Sequence, residues 1–448
     1  MTEPEESRRA QRRSRPVPTR RLAAAAAALS VITALVFSPP EGFFIAYGVL
    51  ALFAVGDWFL TPAPSSVRVT RTTPASMSLG ETGTISWDVV NGGRRKARIA
   101  LSDEFPPSLG AGTRRARFDV APGMTSEAVT TIAPSRRGDF TPSEMAVRVE
   151  GPLGLVARQA ARNQPQTIRV FPPFRSKKEA ELRIERARLL EVGMRSAAAR
   201  GGGTEFDQLR EYGVDDEFRR IDWAATARAG RPIVKTFRAE RNQVVIVLVD
   251  NGRTMAGRVN DVPRVEHAMD AVMALTAVAT RIGDRIGMIV FDRTVRATLP
   301  ASQSRAQFER VVNALYRLEP ELAESDYRSA FTEMLLRFRK RALVVLLTEL
   351  ADQSLQDTLL RDLPLVARNH LVLVGAVRDP DVQQWSEISP ADAGSAYRKA
   401  AAISALNDRH RLAVTLSSLG ATVVDASPGQ LAPRLVDAYL RAKATGRL

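Results

Sequence analysis

The stretch Val244-Val245-Ile246-Val247-Leu248-Val249 constrains the fold more than any other: it is six apolar residues in a row, five of them β-branched. β-Branched side chains are stiff in a helix and pack well on a pleated surface. A run with no polar alternation predicts a strand buried on both faces, as strands of parallel sheets are. Ile286–Phe291, Ala342–Leu347 and Leu371–Val377 have the same character. Helical periods fall between and after them, at Val265–Ile282, Phe308–Leu318, Tyr327–Arg339, 395–405, 407–418 and Leu431–Ala442, with Thr422–Val424 a short strand. Over residues 242–448 this alternation predicts a Rossmann-like α/β domain, a mostly parallel sheet with helices on both faces. Ligands of such sheets sit outside the carboxyl ends of the strands. The residues there are Asp250-Asn251-Gly252-Arg253-Thr254 and Thr348-Glu349.

Several chemistries are excluded by what is missing. The 448 residues contain no cysteine, which removes disulfides, thiol catalysis and thiolate metal sites and fits a reducing compartment. The three histidines, His267, His370 and His410, show no ligand spacing, and His267 reads as a packed or surface residue of a helix. There is no phosphate-binding glycine loop and no glycine-x-serine-x-glycine elbow. The formal charge of +15 is spread along the chain without a nucleic-acid-reading motif, so no nucleic acid is expected, and an anionic lipid surface suits the charge equally well.

The N-terminus predicts a membrane anchor. Residues 1–21 form a basic tail with seven arginines against three glutamates, and Leu22–Phe37 follows with sixteen uncharged residues. After Ser38-Pro39-Pro40, a second apolar run extends from Gly42 to Leu60, interrupted only by Asp57. A bilayer core of about 30 Å asks for about 20 residues, so 22–60 reads as two transmembrane helices forming a hairpin. Arginine placement puts both ends on the cytoplasmic side. The expectation is a multi-pass inner-membrane protein in contact with membrane lipid, with the bulk of the chain cytoplasmic.

From 65 to 171 short alternating segments are separated by Gly, Pro and Asn: Val67–Thr70, Gly83–Val90, Ala97–Leu101, Ala116–Val120, Ala128–Ile132, Met145–Glu150 and Thr167–Val170. This predicts a β-sandwich-like middle domain of immunoglobulin size. Residues 172–241 read as a linker, with a charged helix at 178–195 whose Glu/Arg spacing predicts a mostly solvated or partner-facing surface. The run Ala197–Gly203 is flexible by composition.

The segment from Gly203 to Pro232 has neither a helical nor a strand period, yet is dense in charge and carries Phe206, Leu209, Tyr212, Ile221 and Trp223. One reading is an ordinary connector; the other is a packed segment whose carboxylates and guanidiniums pair in fixed geometry. Its motif is Gly203, Glu205 and Phe206; Leu209, Arg210 and Tyr212; Asp216 and Arg219; Ile221, Asp222 and Trp223; Ala227 and Arg228. It resembles the signature of the bacterial DUF58 proteins, a family named for a domain of unknown function, with Asp215 where that signature has glycine. The resemblance extends over nearly the whole chain. It implies a C-terminal domain like the von Willebrand factor A (vWA) domain, and a gene context shared with MoxR-type AAA+ ATPases.

A vWA-like domain holds a divalent metal on an aspartate-x-serine-x-serine loop, a later threonine and a further aspartate. Asp250 and Thr254 match two of these positions, Gly252 replaces the first serine, the threonine position falls near Ser325-Asp326, and Glu349 stands at the last aspartate. The resemblance thus implies a Mg²⁺ site on Asp250, Thr254, Asp326 and Glu349. The alternative is that Asp250 and Thr254 only cap and order their loop. With no catalytic set in view, the expectation is a non-enzymatic interaction or assembly factor working with a MoxR-type AAA+ ATPase on an unknown client. A structural scaffold between membrane and envelope proteins, or a metal-dependent hydrolase using Asp250, Asp326 and Glu349, are the alternatives.

Overall fold

The computed structural model describes residues 14–36, 40–198, 205–214, 216–238, 242–350 and 353–445. Most of the basic tail, the Ser38-Pro39 turn, Gly203 and Asp215 lie outside them. The chain divides into two compact units, Met1–Phe171 and Pro172–Leu448.

In the first unit, six of the seven segments expected as strands lie within strands, and the seventh, Thr167–Val170, is the strand Ile168–Phe171, shifted by one residue. Arg15–Pro18, Ser76–Ser78, Gly138–Phe140 and Val156–Asn163 are strands as well. Val67–Thr72 and Thr125–Ile132 flank Gly83–Asn91 in an antiparallel sheet. A five-stranded sheet runs Arg15–Pro18, Val156–Asn163, Glu144–Glu150, Ala97–Asp103, Arg115–Val120. The alternation of the sequence becomes a shared core of Val67, Val69, Ile85, Trp87, Ile99, Leu101, Val147 and Val149. One polar cluster sits within it. Asp103 accepts from Arg71 Nη1 at 2.7 Å and from Trp87 Nε1 at 2.8 Å, and all three side chains are buried.

The transmembrane hairpin, and with it the multi-pass inner-membrane placement, is corrected by this unit. Among the described residues one segment, Gly42–Ser66, is long and apolar enough to cross a membrane. The first apolar run is the helix Arg20–Val36, whose 17 residues include two arginines. At 1.5 Å per residue it reaches about 25 Å, short of a bilayer core. Both helices are tied into the β-rich unit. Arg15–Pro18 pairs antiparallel with Val156–Asn163, and the Thr19 hydroxyl donates to the Gly154 carbonyl at 2.5 Å. Asp57, which the sequence presents as an interruption of an apolar run, is the acceptor that orders a turn. Fully buried, it takes the amides of Leu153 and Leu155 at 2.8 Å and of Val156 at 2.9 Å. Arg158 covers the Trp58 ring and donates to the Trp58 carbonyl at 3.1 Å, where a helix C-terminus favours a cation.

The second unit is built on a sheet of order Val295–Ser302, Arg285–Phe291, Val244–Asp250, Leu343–Leu347, Leu371–Val377, Ala421–Ala426. All neighbours are parallel except the edge strand Val295–Ser302, which the sequence reading missed. Val245, Val247 and Val249 face one helix layer, with Ile246 and Leu248 facing the other, so the unbroken apolar run is the signature of two buried faces. The first layer includes Arg264–Arg281 and Leu431–Ala444; the second includes Tyr327–Arg337, Gln353–Ala367 and Ala393–Ser418. Two expected helices merge into Ala393–Ser418, and Gln353–Ala367 and Pro380–Glu387 had not been anticipated. The charged helix at 178–195 is Lys177–Ala198 and is part of the core. Ala180, Ile184 and Ala187, spaced by four and three, bury a narrow apolar stripe that its charge density hides, and Arg183 pairs with Asp437 at 2.8 Å.

Replacing Asp57 with alanine leaves three amides without their acceptor, at about 1–3 kcal/mol for each buried donor. The expected result in hydrogen-exchange mass spectrometry is exchange at least about tenfold faster over 151–156, with the remote strand Leu343–Leu347 unchanged.

Candidate functional site

The connections from Val244–Asp250 wind outward in opposite directions, first to Arg285–Phe291 on one side and later to Leu343–Leu347 on the other. A crevice opens at such a reversal, at the carboxyl ends of the two central strands. Asp250 ends the first strand, and Thr348 and Glu349 follow the second.

Asp250 is fully buried and its carboxylate is saturated. One oxygen accepts from the Gly252 amide at 2.9 Å and from the Ser325 hydroxyl; the other accepts from Tyr327 at 2.8 Å and Thr348 at 2.6 Å. Four donors fill the roughly four lone-pair positions that a carboxylate offers. Gly252 is required here. A Cβ at that position would run into the Ser325 hydroxyl and lie 2.9 Å from the Ala323 carbonyl. The hydroxyl missing at residue 252 is thus supplied from the 323–326 loop. Asp326 does not reach Asp250; it caps the helix Tyr327–Arg337 through the Ser329 amide at 3.0 Å. Thr254 is brought close in sequence, yet its buried hydroxyl has no hydrogen-bond partner.

Glu349 is clamped by two arginines. Arg264, at the start of the helix Arg264–Arg281, lies 2.7 Å from one carboxylate oxygen, and Arg409 donates to the other. Arg409 also forms a bidentate pair with Asp425 at 2.9 Å and donates to the Val377 carbonyl at 3.0 Å. One guanidinium thereby binds the carboxyl ends of three adjacent strands. Burial disfavours its charge, but the pairs with Asp425 and Glu349 outweigh that and raise its pKa. Burial holds His267 below the usual histidine range and Asp270 above the usual carboxylate range; Asp270 accepts the Ser176 amide at 3.0 Å, and neither residue joins the crevice set.

These residues do not fit a divalent ion. Asp250 has no free lone pair, Glu349 is neutralised by fixed cations, and the cleft lined by Arg264, Thr348 and Glu349 has no room for a water-sized sphere. Mg²⁺ needs oxygen ligands and keeps several waters. Among the described residues no three His, Asp or Glu are grouped to hold a metal. Tyr327, Arg264, Arg409 and Asp425 were not singled out as site residues by sequence reasoning, whereas Ser325 and Thr348 were placed near the site without a role of their own. The strand-end positions of Thr348 and Asp425 were visible, whereas Arg409 lies inside a helix with no pattern to mark it.

The signature segment forms a second locus. Glu205–Glu211 pairs antiparallel with Ile233–Arg238, Glu205 opposite Arg238 and Leu209 opposite Lys235. Arg210 clasps Asp216 at 2.7 and 2.5 Å, and Asp216 also takes the Gly213 amide at 2.8 Å, closing the turn. The Tyr212 amide donates to the Pro232 carbonyl at 3.0 Å. Asp222 caps the helix Trp223–Ala229 through the Ala225 amide at 3.0 Å and pairs with Lys235 at 2.9 Å. The Arg210 hydrogen bonds, then the Gly213 amide, hold Asp216 below the usual carboxylate range; the Ala225 amide and Lys235 do so for Asp222. On this frame Phe218 and Trp223 stand 67% and 60% exposed, edge to face with centroids 5.5 Å apart. Val214 and Leu209 are exposed beside them in sequence. Arg219 and Arg228 are also exposed, and neither has a carboxylate partner among the described residues.

Residues 208–391 match the family described as protein of unknown function DUF58, so a DUF58 domain is present in the second unit. Uncharacterized proteins of Mycobacterium tuberculosis and Mycobacterium bovis are 25% identical over 182 residues, a stretch covering 40% of this chain and 56% of theirs. Among solved structures, the CARDB domain of a Pyrococcus furiosus protein aligns at 12% identity and a TM-score of 0.18, over 25% of this chain and 96% of that one. A fragment of Escherichia coli alpha-2-macroglobulin aligns at 20% identity and a TM-score of 0.20, over 24% of this chain and 17% of that one.

Arg409→Met strands Asp425 and half of Glu349 in a buried setting, where removing one partner of an ion pair costs about 3–5 kcal/mol. A large drop in the thermal midpoint by near-UV circular dichroism is expected, and Arg409→Lys should fail to restore it because an ammonium cannot reproduce the fork.

Asp216 has a folded pKa below its unfolded value of about 3.9. Its support for the turn is therefore present in full above that value and lost as pH falls through the lower folded pKa. Asp216→Asn should speed exchange of the Gly213 amide at pH 7 while removing the acid-dependent part of its opening, as read by amide exchange across pH.

Proposed function

We propose that the protein is a non-enzymatic interaction and assembly factor, and that its DUF58 hairpin is the docking surface. The observation that carries this reading is the pair Phe218 and Trp223, apolar yet exposed, on a hairpin braced by the Arg210–Asp216 clasp and the Asp222 cap. Contact energy in protein interfaces concentrates in Trp, Tyr and Arg on rigid supports. Arg219 and Arg228 give the surface a positive margin, so the occupant is an acidic protein surface with an apolar pocket. A MoxR-type AAA+ ATPase is the partner implied by the family resemblance. It supplies the nucleotide hydrolysis for which this chain has no phosphate loop.

The test uses the full chain and the purified MoxR-type ATPase of the same organism, in a nucleotide-trapped state, by biolayer interferometry. Binding is expected, and Phe218→Ala and Trp223→Ala should each weaken it by about thirtyfold or more, since a hot-spot truncation removes about 2 kcal/mol or more. Arg219→Glu with Arg228→Glu should chiefly slow association and flatten its salt dependence. Absence of binding by the wild-type chain would refute the ATPase assignment; unchanged affinity of the aromatic variants would refute the hairpin as the docking surface.

A further inference from the structure

We infer that the crevice at the carboxyl ends of the central strands carries its own cation: the guanidinium of Arg264, backed by that of Arg409, holds the place that a divalent ion would take against Glu349. Two observations converge on this. Arg264 and Arg409 approach opposite oxygens of Glu349, whose side chain is 4% exposed, so the carboxylate is held between two fixed positive charges. Asp250 is turned away from ion binding by its internal donors, Ser325, Tyr327, Thr348 and the Gly252 amide.

A guanidinium differs from Mg²⁺ in ways that matter here. It is permanently charged, cannot be chelated, and directs its donors in a plane rather than an octahedron. Arg264 enters from the helix that follows the Asp250 loop and Arg409 from the long helix on the opposite layer, so Glu349 joins both layers without an exchangeable ion. The crevice is thus a closed structural joint, and its integrity is independent of divalent cations. This inference does not rest on the docking role given to Phe218 and Trp223, and the experiment below does not involve a partner protein.

The experiment is a titration of Mn²⁺ into the full chain, following the free-ion signal by electron paramagnetic resonance, together with thermal melts in EDTA, Mg²⁺ and Mn²⁺. For the wild-type chain the free Mn²⁺ signal is expected to stay at full amplitude and the melting temperature to be the same in all three conditions. Stoichiometric Mn²⁺ binding that disappears in Asp250→Asn would overturn the inference. Arg264→Met, which keeps Arg409 and its other contacts, exposes one oxygen of Glu349; its melting temperature should fall and be partly restored by millimolar Mg²⁺ or Mn²⁺. A folded Arg264→Met chain that remains indifferent to both ions would also overturn it, because the arginine would then be an ordinary ion pair. The wild-type titration decides the question even where that variant fails to fold.

Discussion

The grip of Arg409 on Glu349, Asp425 and the Val377 carbonyl is the interaction on which the second unit depends most. Parallel strands align their carbonyl dipoles and end together, leaving loops with acidic residues and unsatisfied carbonyls on one edge. In many sheets of this kind that edge is a ligand site. Here a single buried arginine takes the acceptors of three strands at once, and Arg264 closes the remaining side of Glu349. The edge that topology opens, side-chain chemistry closes.

That closure explains why the strand-end residues point to a metal in sequence and to something else in space. Asp250, Thr254, Asp326 and Glu349 have roughly the spacing of an ion-binding loop set, but spacing records only where a residue leaves the backbone. Whether a carboxylate is available depends on which donors reach it. Those donors, Ser325, Tyr327, Thr348, Arg264 and Arg409, come from four other segments of chain. Gly252 is the one local clue. A residue without Cβ in that loop leaves room for a hydroxyl from elsewhere, and Ser325 fills it.

What was legible follows the same division. Val244–Val249, Ile286–Phe291 and Leu371–Val377 were readable as strands because burial on both faces writes itself into every consecutive residue. The strand Val295–Ser302 was not, since as an antiparallel edge its residues are only half buried and carry Arg296 and Pro300. The helix Lys177–Ala198 looked solvated because the buried stripe of its described side chains, Ala180, Ile184 and Ala187, lies among charges. At the N-terminus the apolar content of 22–60 was plain. Its partners were not, because Thr19 and Asp57 act on a turn about a hundred residues away or more, and no local pattern encodes that.

The two loci of the second unit divide the work in a physically consistent way. A joint that anchors both helix layers gains from permanent charges buried out of solvent, where pairing is weakly screened. A docking surface gains from the opposite: side chains left in water, held in place but not covered. The hairpin reconciles these demands by spending its ion pairs on the frame. Arg210, Asp216, Asp222 and Lys235 are consumed in holding the turn and the short helix, which leaves Phe218 and Trp223 exposed against each other and Arg219 and Arg228 exposed without a carboxylate partner among the described residues. Rigid presentation lowers the ordering entropy of a later contact. The paired charges of the segment are therefore its support, and its exposed aromatic and arginine positions form the surface proposed for docking.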